Sequence, residues 1–168
     1  MIVDSSALMA ILEDEPGSND LVRAAASSRC RMSVATRLEV SIVADARSTS
    51  HGARLDELIT ALEIVIEPVT EHEGEIARRA YQRYGRGSGS PARLNFGDCF
   101  AYALSVAAGE PLLFVGEDFT HTDIVPALAR AHRGPTASPP EEVGRAPLRG
   151  EVEPAQQLGV ERDDDGRQ

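Results

Sequence analysis

The sequence predicts an α/β fold, helices sandwiching a mostly parallel sheet, and three observations carry that expectation. Short apolar runs at Met1–Asp4, Arg31–Val34, Ile64–Val69 and Leu112–Val115 alternate with longer stretches of helical spacing. Phe96–Ala108 is nearly all apolar, as a helix buried against a sheet must be. A chain of 168 residues with 42% hydrophobic content can bury a core without disulfides or metal staples.

Met1–Asp4 reads as a buried strand. Ser5 or Ser6 then caps a helix with Leu8, Ile11 and Leu12 on one stripe, ending before Pro16. A second helix is expected over Ser18–Ser28, a strand over Arg31–Val34, and a helix over Thr36–Arg47. His51–Leu62 places Leu55, Leu58, Ile59 and Leu62 at helical spacing, and Ile64–Val69 is a strand rich in β-branched residues. Thr70 and Glu73 form a capping box that opens a helix to about Tyr84. Gly85–Pro91 is a Gly/Ser loop, and after Leu112–Val115 a last strand is expected at Thr122–Val125. Residues 1–130 then form one domain. Residues 134–168 hold five of the ten prolines and the run Asp163-Asp164-Asp165, and are expected to be a disordered or weakly docked acidic tail.

Composition excludes several functions. The longest apolar runs are too short to span a bilayer and no charged segment precedes a signal-like run, so a cytoplasmic location without membrane contact is expected. Cys30 and Cys99 have no metal-type spacing and read as two reduced thiols, Cys99 buried. The net charge of −10, of which the tail from Gly134 supplies −4, argues against a generally basic nucleic-acid binder. All 17 basic residues are arginine, so phosphate-binding loops and aspartyl-phosphate sites that need a lysine lack a part.

Four carboxylates stand against apolar elements. Asp4 ends the first strand, Glu39 shares a predicted stripe with Ile42, Val43 and Ala46, Asp98 lies in the first turn of the apolar helix, and Asp118 follows Leu112–Val115. Ligands gather beyond the carboxyl ends of parallel strands, which places Asp4 and Asp118 in one region. Close carboxylates repel by about 4 kcal/mol per pair at moderate dielectric, so protonation or a cation must offset the repulsion. Oxygen ligands without a nearby His or Cys cluster suit Mg²⁺ or Mn²⁺. Individually, each acid also has a plain structural reading, as a helix cap, a turn residue or a solvated glutamate. The histidines at 51, 72, 121 and 132 are scattered and read as ordinary surface residues.

The run Met-Ile-Val-Asp4-Ser-Ser6-Ala resembles the opening of PIN-domain nucleases, in particular the VapC-type toxins of bacterial toxin–antitoxin pairs. The Glu39 helix, Arg93-Leu-Asn-Phe-Gly-Asp98-Cys-Phe-Ala-Tyr-Ala, Leu-Leu-Phe-Val-Gly-Glu-Asp118-Phe and Thr122-Asp123-Ile124 follow in that family's order. The likeness covers about residues 1–130. It implies a three-layer α/β/α sandwich and a Mg²⁺- or Mn²⁺-dependent endoribonuclease acting on RNA of the tRNA or rRNA class. It further implies a homodimer and a cognate VapB-type antitoxin. Asp4 and Asp98 would be the principal metal ligands, Glu39 and Asp118 would complete the acidic pocket, and Ser6 would orient a carboxylate or a bound water. Asp123 is a further candidate acid. Many relatives carry a lysine where this chain has Val115, and the tail from about residue 134 is foreign to the family.

A divalent ion held by these acids would activate water for in-line attack and neutralise charge on the scissile phosphate. Between Ala77 and Gly97 there are five arginines, two tyrosines and no acid. Arg83, Arg86 and Arg93 are candidates for RNA phosphates, and Tyr81 or Tyr84 for base stacking. Two rival functions remain at this level: a PIN-type nuclease acting on DNA, and a catalytically silent module whose acids receive an arginine-rich partner.

Overall fold

The computed structural model describes residues 1–128. The acidic tail expected at 134–168 lies outside the described residues. Four strands, β1 (Ile2–Val3), β2 (Arg31–Ser33), β3 (Val65–Glu67) and β4 (Leu112–Leu113), form one sheet in the order β3-β2-β1-β4, every pairing parallel. Six helices connect them: α1 (Ser5–Leu12), α2 (Ser18–Ala26), α3 (Val34–Arg47), α4 (Thr49–Ala61), α5 (Glu71–Tyr84) and α6 (Asp98–Ala108). A short 3₁₀ turn at Asp118–His121 follows β4.

Side chains alternate along a strand, so a two-residue strand feeds both faces of the sheet. Ile2 and Leu112 pack with Ala77, Tyr84, Ala101 and Leu104 of α5 and α6. Val3 and Leu113 pack with Leu8, Leu21, Val40 and Leu55 of the first four helices. The two cores make the expected three-layer sandwich. Replacing a fully buried member such as Leu55 by Ala would cost about 2–5 kcal/mol.

Local sequence explains most of the element ends. Ser33 and Ser48 cap α3 and α4 with their side chains, and Thr70 and Glu73 form the full reciprocal box that opens α5. Gly109 closes α6 at φ +64°, a left-handed position that glycine adopts without a Cβ penalty.

Three expectations are corrected. The cap of α1 is neither Ser5 nor Ser6 but Asp4 itself, whose side chain accepts the Ser6 amide at 3.0 Å. The strand expected at Thr122–Val125 is not formed; the segment reaches the sheet one residue later, through a single parallel bridge between Leu112 and Pro126. Before it, Asp118–His121 turns tightly, and Thr122 caps the turn with its hydroxyl on the Phe119 carbonyl. Phe96 lies outside the apolar helix, which begins at Asp98, and its ring is 77% exposed.

Candidate active site

β1 is the inner strand between β2 and β4, and its carboxyl end delivers Asp4 into the protein at 2% exposure. The Asp4 amide donates to Leu113 O at 2.9 Å, which fixes the residue to β4. Its Oδ2 accepts the Ser6 hydroxyl at 2.6 Å, and that hydroxyl oxygen accepts the Val115 amide at 3.0 Å. Ser6 therefore orients the Asp4 carboxylate and anchors the chain leaving β4. Position 115 contributes this contact through its backbone, so Val115 makes it as well as a lysine would.

Asp98 opens α6 and is 7% exposed. Its Oδ2 accepts the Asn95 amide at 2.6 Å, while the Asn95 Oδ1 accepts the Asp98 amide at 2.9 Å. This reciprocal arrangement is a capping box built from short side chains, and it ties up one oxygen of Asp98. Asn95 carries no charge and sits before the helix, so only its spacing of three from Asp98 signals the role.

Glu39 comes from α3, but not as its sequence pattern suggested. Ile42, Val43 and Ala46, the residues read as sharing its core stripe, are exposed; the buried positions of α3 are Thr36, Val40 and Ala44. The helix is phased with Thr36, Val40 and Ala44 inward and Leu38, Ile42 and Val43 outward. Glu39 is half-buried at the border because its carboxylate reaches Gly97, next to Asp98, where any Cβ would collide with it. Asp118 starts the 3₁₀ turn after β4 and is exposed.

The charges of these acids act on one another. Burial raises the Asp4 carboxyl pKa, opposed by its Ser6 hydrogen bonds, with the charge of Asp118 adding to the rise. Burial also raises Glu39, with Asp4 as the second cause. Asp98 is pushed up to about 6, chiefly by burial, with Asp4, Asp118 and Glu39 all contributing. Two buried oxygens, Asp4 Oδ1 and Glu39 Oε2, have no hydrogen-bond partner among the described residues. A buried carboxylate oxygen without a donor costs about 1–3 kcal/mol or more. Among the described residues no three acids already close into a ligand cage. Even so, orphaned carboxylate oxygens among mutually repelling acids are the donor set a hard divalent cation would satisfy.

The candidate arginines divide. Arg83 pairs with Asp123 at 3.3 Å and lies over the Tyr84 ring at 4.7 Å. Asp123 also accepts the Tyr102 hydroxyl at 2.6 Å, so it links the segment after Asp118 to α6. Tyr84 is buried and Tyr81 is 45% exposed, which leaves only Tyr81 accessible for stacking. Arg86 and Arg93 are exposed, and neither side chain has an ion pair among the described residues. Arg93 stands at φ +52°, in the left-handed region, two residues before the Asn95–Asp98 box. Of the histidines, His72 and His121 are exposed and His51 bonds Ser48 at 2.8 Å; His132 lies outside the described residues. Cys30 and Cys99 are both free; Cys99 is buried as expected, and Cys30 is buried as well.

A short parallel sheet between two helical layers, with Asp4 at the end of β1 and Asp98 at the start of α6, is the frame in which the family of this chain is found. The PIN domain family profile matches residues 1–125, and the chain belongs to that family. Within it, the chain is 50% identical over 132 residues to ribonuclease VapC28 of Mycobacterium tuberculosis, covering 77% of this chain and 99% of that protein. It is 46% identical over 129 residues to ribonuclease VapC42 of the same species, covering 76% and 98%. Among solved structures, VapC20 of M. tuberculosis, described as a sarcin-ricin loop cleaving toxin, shares the fold. It superposes with a TM-score of 0.59 at 18% identity over 74% of this chain and 95% of that one.

Proposed function

We propose that the protein is an endoribonuclease that uses a divalent cation, Mg²⁺ or Mn²⁺, and acts as the toxin of a VapBC-type pair. The observation that carries this reading is the convergence of Asp4, Glu39 and Asp98, two of them with buried, partnerless oxygens. The relatives named as ribonucleases supply the substrate class, and RNA of the tRNA or rRNA class is the proposed target. Asp4, Asp98, Glu39 and Asp118 would hold the cation. When bound, it would offset the charge of the scissile phosphate and make a neighbouring water a stronger nucleophile.

The chain's own residues prepare the site. Ser6 fixes one oxygen of Asp4 and leaves the other without a partner among the described residues. Asn95 does the same for Asp98, whose Oδ1 makes no protein hydrogen bond among the described residues. Gly97 leaves room for the Glu39 carboxylate. No His or Lys would be needed as a base, because a cation held by these acids would itself lower the pKa of a bound water.

The partners follow from the same reading. A homodimer and a VapB-type antitoxin both require apolar surface, and two such surfaces are present. One is the exposed stripe Val34, Leu38 and Ile42 on α3. The other is a groove of about 800 Å³ between α2 and the β4 segment, with Leu21, Ala24, Phe114 and Ile124 in its walls. No helix among the described residues is long and apolar enough to cross a membrane. A cytoplasmic location is proposed with the toxin role.

Induced expression in a bacterial host tests this function. Growth should stop, discrete breaks should appear in one tRNA or rRNA species, and Asp98→Asn should abolish both. Growth arrest without RNA breaks, or arrest undiminished by Asp98→Asn, would refute it.

A further inference from the structure

The most exposed large apolar side chain of the described residues is Phe96, at 77%, inside the segment that positions Asp98. Solvated rings are ordinary when scattered, but this one is held in place. The Asn95–Asp98 box fixes its backbone, and Phe100 packs edge-on against its ring at 4.9 Å and 84°. Phe96 and Phe100 form one wall of a groove of about 490 Å³; Arg78, Tyr81 and Gln82 of α5 form the other. The side chains of Arg78 and Gln82 have no hydrogen bond or ion pair among the described residues, unlike neighbouring Arg79, which pairs with Glu75, and Arg83.

We propose that this groove is a nucleobase subsite, taking an unpaired base of the RNA beside the scissile phosphate and stacking it on Phe96. The inference rests on the ribonuclease reading and extends it. Two successive peptide units separate Phe96 from Asp98, so their Cα atoms lie within about 7.6 Å. A phosphate bound through a cation at Asp98 would have its neighbouring nucleotide within reach of the Phe96 ring, although the groove itself is lined by none of the four acids. The groove supplies what a nucleobase needs: a flat aromatic face, an amide that both donates and accepts at Gln82, and a guanidinium for the adjoining phosphate at Arg78. The segment between Ala77 and Gly97 carries five arginines and no acid of its own, and Arg78 is the one of them that lines the groove. Base stacking on an aromatic platform suits single-stranded or splayed-out RNA rather than a continuous duplex.

The test uses the full chain and a labelled single-stranded RNA that the wild type cuts, in two forms: intact, and abasic at the nucleotide next to the cut. Phe96→Ala and Phe96→Trp keep the fold because the ring is largely solvated, which thermal melting verifies. Phe96→Ala should weaken binding of intact RNA about tenfold or more. Phe96→Trp should restore it, and the abasic RNA should bind wild type and Phe96→Ala alike. Equal binding of intact RNA by wild type and Phe96→Ala would overturn the subsite while leaving the nuclease standing. So would light scattering showing that Phe96→Ala splits a dimer, since a second copy would then occupy the groove. A folded wild type that neither binds nor cuts RNA would overturn the ribonuclease reading, and the subsite with it.

Discussion

The carboxylate of Glu39 rests against the backbone of Gly97, so the acid from α3 and the acid that opens α6 meet across a residue with no side chain. Gly97→Ala would place a methyl group where that carboxylate lies. Because the carboxylate ends a flexible side chain, it should swing aside and the fold should persist. Cleavage and Mn²⁺ affinity should each fall about 10–100-fold, as when a supporting residue of a metal site is lost. Paired melting curves and calorimetric Mn²⁺ titrations check this; unchanged affinity would remove Glu39 from the site.

Ser6→Ala should damage both stability and activity. It deletes the hydroxyl that donates to Asp4 and that accepts the Val115 amide. Leaving such groups unpaired costs about 1–3 kcal/mol. Denaturant unfolding should show that loss without a change in slope, and cleavage should fall with it.

The raised carboxyls make stability depend on pH in a definite direction. Asp98 titrates at about 6 when folded, above its ordinary carboxylate value, so the folded state binds more protons between the two values. Its contribution is therefore fully present below the ordinary value and is lost as pH rises through about 6, about 3 kcal/mol for a shift near two units. Asp4 and Glu39 shift in the same direction. Melts in EDTA should show wild type losing stability relative to Asp98→Asn as pH rises through that window. Mn²⁺ competes with the same protons, so its stabilisation should grow over the same range.

Arginines that contact RNA should appear in the salt dependence. Arg86→Ala with Arg93→Ala should reduce the slope of log affinity against log salt by about 1.4, two phosphates on a single strand. Arg83→Ala should change the slope less, because its guanidinium already pairs with Asp123. An equal effect from Arg83 would mean that RNA displaces that pair.

Much of the fold was legible because its signals are local. The alternation of short apolar runs with helical stretches reported the parallel sheet, and Thr70 with Glu73 reported the start of α5. Asp4 and Asp98 were legible because strand ends and helix starts are fixed by nearby residues. Glu39 was selected for a mistaken reason: Ile42 and Val43 looked like core at helical spacing, yet both face outward. Periodicity reveals a stripe but not whether the core or a partner covers it. Gly97 and Asn95 were missed because their roles depend on approaches from elsewhere, a carboxylate from α3 and the amide of Asp98. The link between Tyr102 and Asp123 spans 21 residues and leaves no local signal.

Asp4, Glu39, Asp98 and Asp118 are proposed to hold a divalent cation for RNA cleavage. The most direct measurement is digestion of labelled total RNA by purified protein, free of any antitoxin, with Mg²⁺, with Mn²⁺ and with EDTA, beside Asp98→Asn. Discrete products that require the metal and vanish in both the EDTA and Asp98→Asn lanes are predicted. Cleavage that persists in EDTA, or no cleavage with either metal from a folded protein, would contradict the account.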